Sequence, residues 1–310
     1  MKIINKYIKK IINDPLMFLS VCLERMPGSR FLKSLMPDSI YLMHIYRLCI
    51  GCELNLKHPK TFSEKLQWLK LYNRRPEYIT MVDKYAVKDY VANKIGEEYI
   101  IPTLGVWDKV EDIIWDSLPN QFVLKCTHDS GGLIICKDKS SLNIKEAEQK
   151  LRKSLCHNYY LNGREWPYKG VRRRIIAEKF LVPQKPEVPS ELLDYKFFCF
   201  NGKVKFFKVD FGRFVDHHAN YYSPEGELLD FGEMAFEPDP NSPVELPDNL
   251  DKMIVLAEQL SKDIPFVRVD FYNTNGRIYF GELTFYPASG FGKWTSPDID
   301  QKLGDLLVLF

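Results

Sequence analysis

The sequence predicts an α+β protein, helical in its first third and mixed in the rest. Two observations lead to this class. Apolar residues recur at helical spacing up to about residue 117, with start signals such as the capping box Thr61-Phe62-Ser63-Glu64. Beyond that point short β-branched and aromatic runs appear, and Asn201-Gly202 and Asn275-Gly276 are strong hairpin signals.

Composition limits the class of protein further. The chain has 310 residues, 45% of them apolar, which is enough for a sizeable core. This length predicts either one large domain or two to three small subdomains. The 43 Lys and Arg residues nearly balance 41 Asp and Glu residues, so bulk charge predicts no nucleic-acid partner. No apolar run is long enough to span a membrane. Seven scattered cysteines favour a reducing, cytoplasmic compartment over a disulfide framework.

Residues 1–13 have the pattern of a short basic amphipathic helix. Five residues share one apolar face: Ile3, Ile4, Tyr7, Ile8 and Ile11. The four lysines of this segment lie mostly elsewhere: Lys2, Lys6, Lys9 and Lys10. Such a helix packs on the body of the protein, or makes a peripheral contact with an anionic membrane at its inner face. Both interpretations remain open.

The helical part continues beyond the capping box. A helix beginning there must end before Pro76, and Asp83 is expected to cap a second helix from Lys84 to about Asn93. Strands are then predicted at 122–126, 133–136 and 174–182, with a helix at about 143–157 between the last two.

The second half of the chain predicts two hairpins separated by a loop-rich insert and a helix. The strands are predicted at 194–200, 203–211, 265–273 and 277–285. The intervening helix is predicted at about 248–262, and a final helix begins after Ser296-Pro297.

The last hairpin is the most informative segment. Strand alternation places Arg268 and Asp270 on one face, and Glu282 and Thr284 share a face of the partner strand. Two carboxylates beside a hydroxyl are suitable donors for a hard cation. A strict two-residue turn would set Asp270 opposite Gly281, so one bulge is needed to bring Glu282 into register. The alternative is a surface hairpin with solvated charges.

Two other segments are ambiguous on their own and become informative only together with this hairpin. Lys125 on a strand precedes a loop containing Ser130, Gly131 and Gly132, whose backbone N–H groups are able to fold over phosphates. The loop is not a Walker A motif, and taken by itself it is typical of a simple turn. Glu178 lies in an extended apolar segment, which taken alone is typical of a core strand. The same segment is also suited to bind a purine base along its edge.

Taken in order, these segments resemble an ATP-grasp fold. The resemblance is closest to the TupA-like ATP-grasp family and covers about residues 55–305. The motifs that carry it are Lys125, Ser130-Gly131-Gly132, Ala177-Glu178-Lys179-Phe180-Leu181, Asp194-Tyr195-Lys196, Arg268-Val269-Asp270 and Glu282-Leu283-Thr284, with 59–68, Asp83-Lys84-Tyr85 and 285–291 for the TupA-like type.

The resemblance implies two α+β subdomains that grip ATP. Residues 1–117 would be a helical region in place of a pre-grasp domain. Residues 118–183 would form the small subdomain with its phosphate lid, and residues 184–310 would form the large subdomain with the Mg²⁺ site.

The resemblance also implies roles for the nucleotide-binding residues. Lys125 would neutralise the ATP phosphates, and Lys196, with Arg213, is a candidate for phosphate or acceptor contacts. The lid would consist of Ser130, Gly131 and Gly132, and the adenine hinge of Glu178, Lys179 and Leu181. A ribose-binding acid is expected between the hinge and Asp194, at Glu187 or Glu191.

At the metal end, the resemblance implies that Asp270 and Glu282 hold Mg²⁺. Thr284 stands where many relatives have Asn, and its hydroxyl is a weaker ligand for a second ion. Arg268 would stabilise charge on the transferred phosphoryl group.

The implied activity is ATP- and Mg²⁺-dependent ligation of a carboxylate to an amine through an acylphosphate. The substrates would be small or sugar-linked molecules in capsular or surface polysaccharide synthesis. Two alternatives remain: a glycosyltransferase of the same pathway that uses the D-x-D motif Asp298-Ile299-Asp300, and a non-catalytic nucleotide-binding module.

Overall fold

The computed structural model describes residues 34–182, 192–213 and 215–310. The predicted amphipathic helix at 1–13 and the candidate ribose acids Glu187 and Glu191 therefore lie outside the described residues. Within the described part of the chain, no helix is long and apolar enough to cross a membrane.

The described helices alternate with short strands after the first hundred residues. The α-helices are Asp38–Ile50 (α1), Phe62–Tyr72 (α2), Glu77–Val82 (α3), Val87–Ile95 (α4), Ile144–Leu155 (α5), Tyr160–Gly163 (α6), Leu250–Ser261 (α7) and Pro297–Leu306 (α8). The strands are Thr103–Trp107 (β1), Phe122–Cys126 (β2), Leu133–Cys136 (β3), Ile175–Lys179 (β4), Asp194–Phe200 (β5), Lys203–Phe211 (β6), His218–Tyr222 (β7), Phe266–Thr274 (β8) and Arg277–Thr284 (β9).

The strands form two antiparallel sheets. The smaller sheet has the order β1-β4-β2-β3, and the larger has the order β7-β6-β5-β8-β9. Strand β1 lies inside the range 1–117, whose prediction was mostly helical. Its five residues contain a glycine and too little alternation to signal a strand, and pairing with β4 is what orders them.

Local signals set most element boundaries as expected. The Thr61 hydroxyl accepts from the Glu64 N–H while Glu64 accepts from the Thr61 N–H, so the predicted capping box is confirmed. Asp83 behaves differently from the prediction, because helix α4 begins only at Val87. The Asp83 carboxylate instead accepts from the N–H groups of Tyr85 and Ala86, which fixes a turn ahead of the helix.

The two Asn-Gly hairpin turns are confirmed. Asn201 and Gly202 have φ of 49° and 78°, and Asn275 and Gly276 have φ of 53° and 70°, as a type I′ turn requires. These turns fix the register of the larger sheet, and strands β5, β6 and β8 are buried along most of their length. The larger sheet is thus a rigid platform for the side chains that it carries.

Candidate functional site

A row of charged side chains crosses the larger sheet. Lys208, Lys196, Asp270 and Glu282 are direct cross-strand neighbours on β6, β5, β8 and β9. Asp270 lies opposite Glu282 because the β8–β9 register shifts by one residue just after Asp270, and Gly281 is the extra residue. The single bulge that the sequence required is therefore present.

Arg268 binds the acidic members of this row. Its Nε and Nη2 donate to the two oxygens of Asp270 at 2.7 and 2.6 Å, and Nη2 also donates to Glu282 at 3.2 Å and to the Thr284 hydroxyl at 3.0 Å. The four predicted residues of the metal end are thus brought together. The guanidinium is held as a fork, which is a geometry that lysine cannot supply.

The donors at this end suit Mg²⁺. Asp270 and Glu282 offer two carboxylates, the Thr284 hydroxyl bonds to Glu282 at 3.1 Å, and the Glu282 side chain is 42% exposed. Among the residues that the structure describes, no three His, Cys, Asp or Glu side chains converge as a metal site. Mg²⁺ commonly binds through one or two carboxylates and completes its shell with substrate phosphates and water, so the donor set fits that ion.

Lys196 lies behind the metal end in a group of opposed charges. Its ammonium contacts Asp194, lies 2.7 Å from Asp210 and is 4.0 Å from Asp270. Arg213 also binds Asp194, at 2.7 Å. Burial lowers the pKa of Lys196, but the three carboxylates outweigh it and raise that pKa, so the lysine stays charged.

The smaller sheet contributes a second charged group around Glu178. Its carboxylate accepts from Lys125 on β2 at 2.7 Å and from Lys88 on helix α4 at 2.6 Å. Burial raises the pKa of Glu178, but the two ammonium groups prevail and lower it. Sequence reasoning missed Lys88, because a lysine in an amphipathic helix gives no sign of which distant carboxylate it meets.

A cleft beside this group has roughly 820 Å³ of empty space, which includes solvent at its open side. Its walls are mainly apolar, and charged side chains enter at one side, which is typical of a small-molecule site. Its lining includes the predicted residues Lys125, Glu178, Lys179 and Leu181, together with Ile101, Val123, Leu133, Ile135, Lys137, Phe180, Leu192, Arg213 and Tyr272.

The cleft and the charged row belong to one site. Burial lowers the pKa of Lys125, but the charges of Glu178, Glu282 and Asp194 outweigh it and raise that pKa. Glu282 and Asp194 lie on the larger sheet, whereas Lys125 lies on the smaller one. Arg213 and Tyr272 of the larger sheet also line the cleft.

The predicted phosphate lid divides into two parts. Ser130 and Gly131 are exposed, whereas Gly132 is buried, and its N–H donates to Asp129 at 3.2 Å. A Cβ on Gly132 would lie 2.4 Å from the Ser154 hydroxyl oxygen and 2.8 Å from Cys126 Sγ. Gly132 therefore anchors the loop in this structure, and only the other two positions present free backbone to a ligand.

The residues of the D-x-D motif have other partners. Asp300 accepts from the N–H of Ser63 at 3.0 Å and from its hydroxyl at 2.5 Å, which ties helix α8 to the start of α2. Asp298 is exposed and pairs with Lys302 at 2.9 Å. Neither carboxylate joins the row or the cleft.

The family model described as TupA-like ATPgrasp matches residues 64–308, which include the cleft, the lid loop and the charged row. The chain belongs to the TupA-like ATP-grasp family. Its two antiparallel sheets with flanking helices make up an α+β ATP-grasp fold, so the predicted fold class is confirmed. The roles of the individual site residues stay predictions.

Solved structures similar to this ATP-grasp chain include enzymes named as ligases. An ATP complex of D-alanine–D-alanine ligase from Bacillus anthracis has 17% identity and a TM-score of 0.40, over 74% of this chain and 63% of that one. An L-amino acid ligase from Bacillus licheniformis has 14% identity and a TM-score of 0.43, over 74% of this chain and 49% of that one. This chain therefore spans less than two thirds of either structure. No curated protein is similar enough in sequence to count as a relative.

Proposed function

We propose that this TupA-like ATP-grasp protein is an ATP-dependent ligase that joins a carboxylate to an amine. The observation that carries the proposal is the continuity between the Lys125–Glu178 group at the cleft and the Arg268–Asp270–Glu282 group on the larger sheet. A nucleotide in the cleft would direct its phosphates toward the pair of carboxylates and the guanidinium.

The reaction that fits has two steps. The substrate carboxylate attacks the γ-phosphorus of ATP, which forms an acylphosphate and releases ADP. The amine then attacks the acyl carbon, which forms the amide and releases phosphate and one proton. No protein nucleophile is needed in either step.

Each chemical demand has a candidate group. Lys125 would bind the phosphates, and Lys196 would add positive charge behind the metal end. The Lys88 ammonium already donates to Glu178, Ile101 and Thr103, so Lys88 would hold the Glu178 carboxylate in place. Arg268 would stabilise charge on the phosphoryl group in flight. Asp270 and Glu282 would hold Mg²⁺, which would supply positive charge to stabilise the phosphates during transfer. Ser130 and Gly131 would close over the phosphates and exclude water, which hydrolyses an acylphosphate.

The biological setting is a finer part of the proposal. The family resemblance supports small or sugar-linked substrates in capsular or surface polysaccharide synthesis. Five of the described cysteines are free thiols, which supports a reducing, cytoplasmic compartment: Cys52, Cys126, Cys136, Cys156 and Cys199. Peripheral membrane contact through residues 1–13 stays a prediction.

The two alternatives have weaker support. The glycosyltransferase alternative depends on Asp298 and Asp300, both of which make contacts within the chain away from the cleft. The non-catalytic alternative gives no catalytic purpose to the pairing of Arg268 with Asp270, although both charged groups are buried and therefore costly to keep.

Phosphate release from Mg·ATP tests the ligase proposal. The purified protein is assayed with a matrix of carboxylic acids and primary amines that includes amino acids, uronic acids and amino sugars. We expect release that requires one acid and is raised further by one amine. Release that needs neither, with a UDP-sugar turned over instead, would contradict the proposal.

A further inference from the structure

Lys88 lies behind the wall of the cleft, where helix α4 meets strands β1 and β4. Its side chain is buried, with 9% of the residue exposed. Its ammonium is 2.6 Å from Glu178 Oε1, and it donates to the Ile101 carbonyl oxygen at 2.7 Å and to the Thr103 hydroxyl oxygen at 2.9 Å. These three acceptors match the three N–H bonds of an ammonium group, so Lys88 is fixed in place.

The residues that Lys88 holds belong to the wall of the cleft. Thr103 on β1 is directly opposite Glu178 on β4. Of the described residues at this junction, Glu178 and Ile101 line the cleft, whereas Lys88 does not. Lys88 therefore acts on a ligand in the cleft only through the residues that it holds.

Lys125 is held less completely than Lys88. Its side chain is 19% exposed, and its ammonium is 2.7 Å from Glu178 Oε2. Among the residues that the structure describes, Glu178 is its one partner. Two N–H bonds of this ammonium are thus left for a ligand in the cleft, which Lys125 lines.

Two lysines therefore share one carboxylate, and only one of them faces the ligand. Glu178 is 5% exposed, and a buried carboxylate without a cation is unfavourable. With Lys88 in place, the carboxylate keeps one cation when Lys125 binds a phosphate instead. Without Lys88, the same move would leave a buried negative charge beside a nucleotide that is itself negative.

We propose that Lys88 is a positioning residue that neutralises Glu178 and thereby releases Lys125 to bind the nucleotide phosphates. The inference rests on the proposed function, because Lys125 has a phosphate to bind only if the cleft takes a nucleotide. Burial lowers the pKa of Lys88, the Glu178 carboxylate opposes that effect, and the three acceptors hold the charged form. The helical front of the chain thus takes part in nucleotide binding through α4.

Two titrations of the full chain test this role: calorimetry with Mg·ADP and saturation-transfer NMR with adenosine, which has no phosphate. The dissociation constant of adenosine divided by that of Mg·ADP measures the contribution of the phosphates. We expect Lys88→Met to lower this ratio roughly tenfold or more, the effect of removing one member of a buried charge pair. Adenosine alone should bind within about twofold of the wild type. A residue that only supports the shape of the cleft would weaken both ligands alike.

The matched control is Lys94→Met, at an exposed lysine of the same helix. This variant should bind both ligands as the wild type does.

A second substitution separates the charge of Lys88 from its packing. Glu178→Gln removes the charge that competes for Lys125 and keeps the shape, so its ratio should be at least that of the wild type. This expectation stands even if Lys88→Met does not fold. In the Glu178→Gln background, Lys88→Met should not weaken Mg·ADP further, because no negative charge is left to neutralise.

The outcomes that would overturn the inference are distinct from failure of the proposed function. An unchanged ratio in Lys88→Met, equal weakening of adenosine and Mg·ADP, or the same loss from Lys88→Met in both backgrounds would overturn it. A ratio in Glu178→Gln below that of the wild type would also overturn it. Absence of Mg·ADP binding to the wild type would instead overturn the proposed function.

Discussion

Asp270 faces Glu282 across strands β8 and β9, although the two-residue turn at the end of the hairpin would set Gly281 in that place. The bulge leaves Gly281 without a cross-strand partner and places the two carboxylates side by side on the sheet. A Cβ on Gly281 would lie 3.0 Å from the Asp270 carbonyl oxygen, so this close approach favours glycine. The metal end of the site depends on that one-residue shift.

The first prediction concerns the metal end. Glu282→Gln removes charge and keeps shape, so turnover should fall roughly a hundredfold or more, the effect of losing one charge-stabilising group. The melting temperature should change little, because Glu282 is partly exposed. Asp298→Asn is the matched control at an exposed carboxylate, and its turnover should stay within twofold of the wild type. Full activity in Glu282→Gln would contradict the metal assignment, and loss of activity in Asp298→Asn would revive the glycosyltransferase alternative.

The second prediction concerns the loop that follows β9. Ala288, Ser289 and Gly290 all have positive φ, and Gln67 donates to the Gly290 carbonyl oxygen at 2.8 Å. A Cβ on Gly290 would lie 2.5 Å from Gln67 Nε2, whereas a Cβ on Gly276, also at positive φ, would meet nothing within 4 Å. Gly290→Ala should therefore destabilise the fold by about 1–3 kcal/mol more than Gly276→Ala. Urea unfolding of both variants measures the difference, and equal midpoints would show that Gln67 does not clamp the loop.

The third prediction concerns acid stability. In the unfolded chain the Glu178 carboxyl titrates near 4.3. Its pKa is lower in the fold, where the charges of Lys125 and Lys88 outweigh burial. Glu178 thus adds stability that is present above the unfolded pKa and lost as pH falls through the folded pKa.

The double variant Lys88→Met/Lys125→Met should reverse that behaviour. Burial alone then acts on Glu178 and raises its pKa, so the variant loses stability as the carboxyl ionises. Melting temperatures from pH 4 to pH 8 should show a gap between wild type and variant that widens as pH rises. Parallel curves across this range would contradict the assigned role of the lysine pair.

Local patterns predicted those parts of the site that depend on local geometry. The Asn-Gly turn and strand alternation were enough to place Asp270, Glu282 and the bulge between them. The contacts of Lys88 and Glu165 could not be predicted from the sequence, because the partner of each lies far along the chain. Lys88 pairs with Glu178, and Glu165 accepts from Ser289. The lid shows the same limit: Gly131 and Gly132 look alike in sequence, and only packing against Ser154 separates them.

The most direct test of the central claim is a thermal-shift measurement with Mg·ATP. A ligand that binds only the folded state at a hundredfold excess over its dissociation constant stabilises it by about 2.7 kcal/mol, which is a readable shift. We expect stabilisation by ATP with Mg²⁺, little by UDP-glucose or UDP-N-acetylglucosamine, and loss of the ATP shift in Lys125→Ala. Stabilisation by a UDP-sugar with no response to ATP would contradict the account.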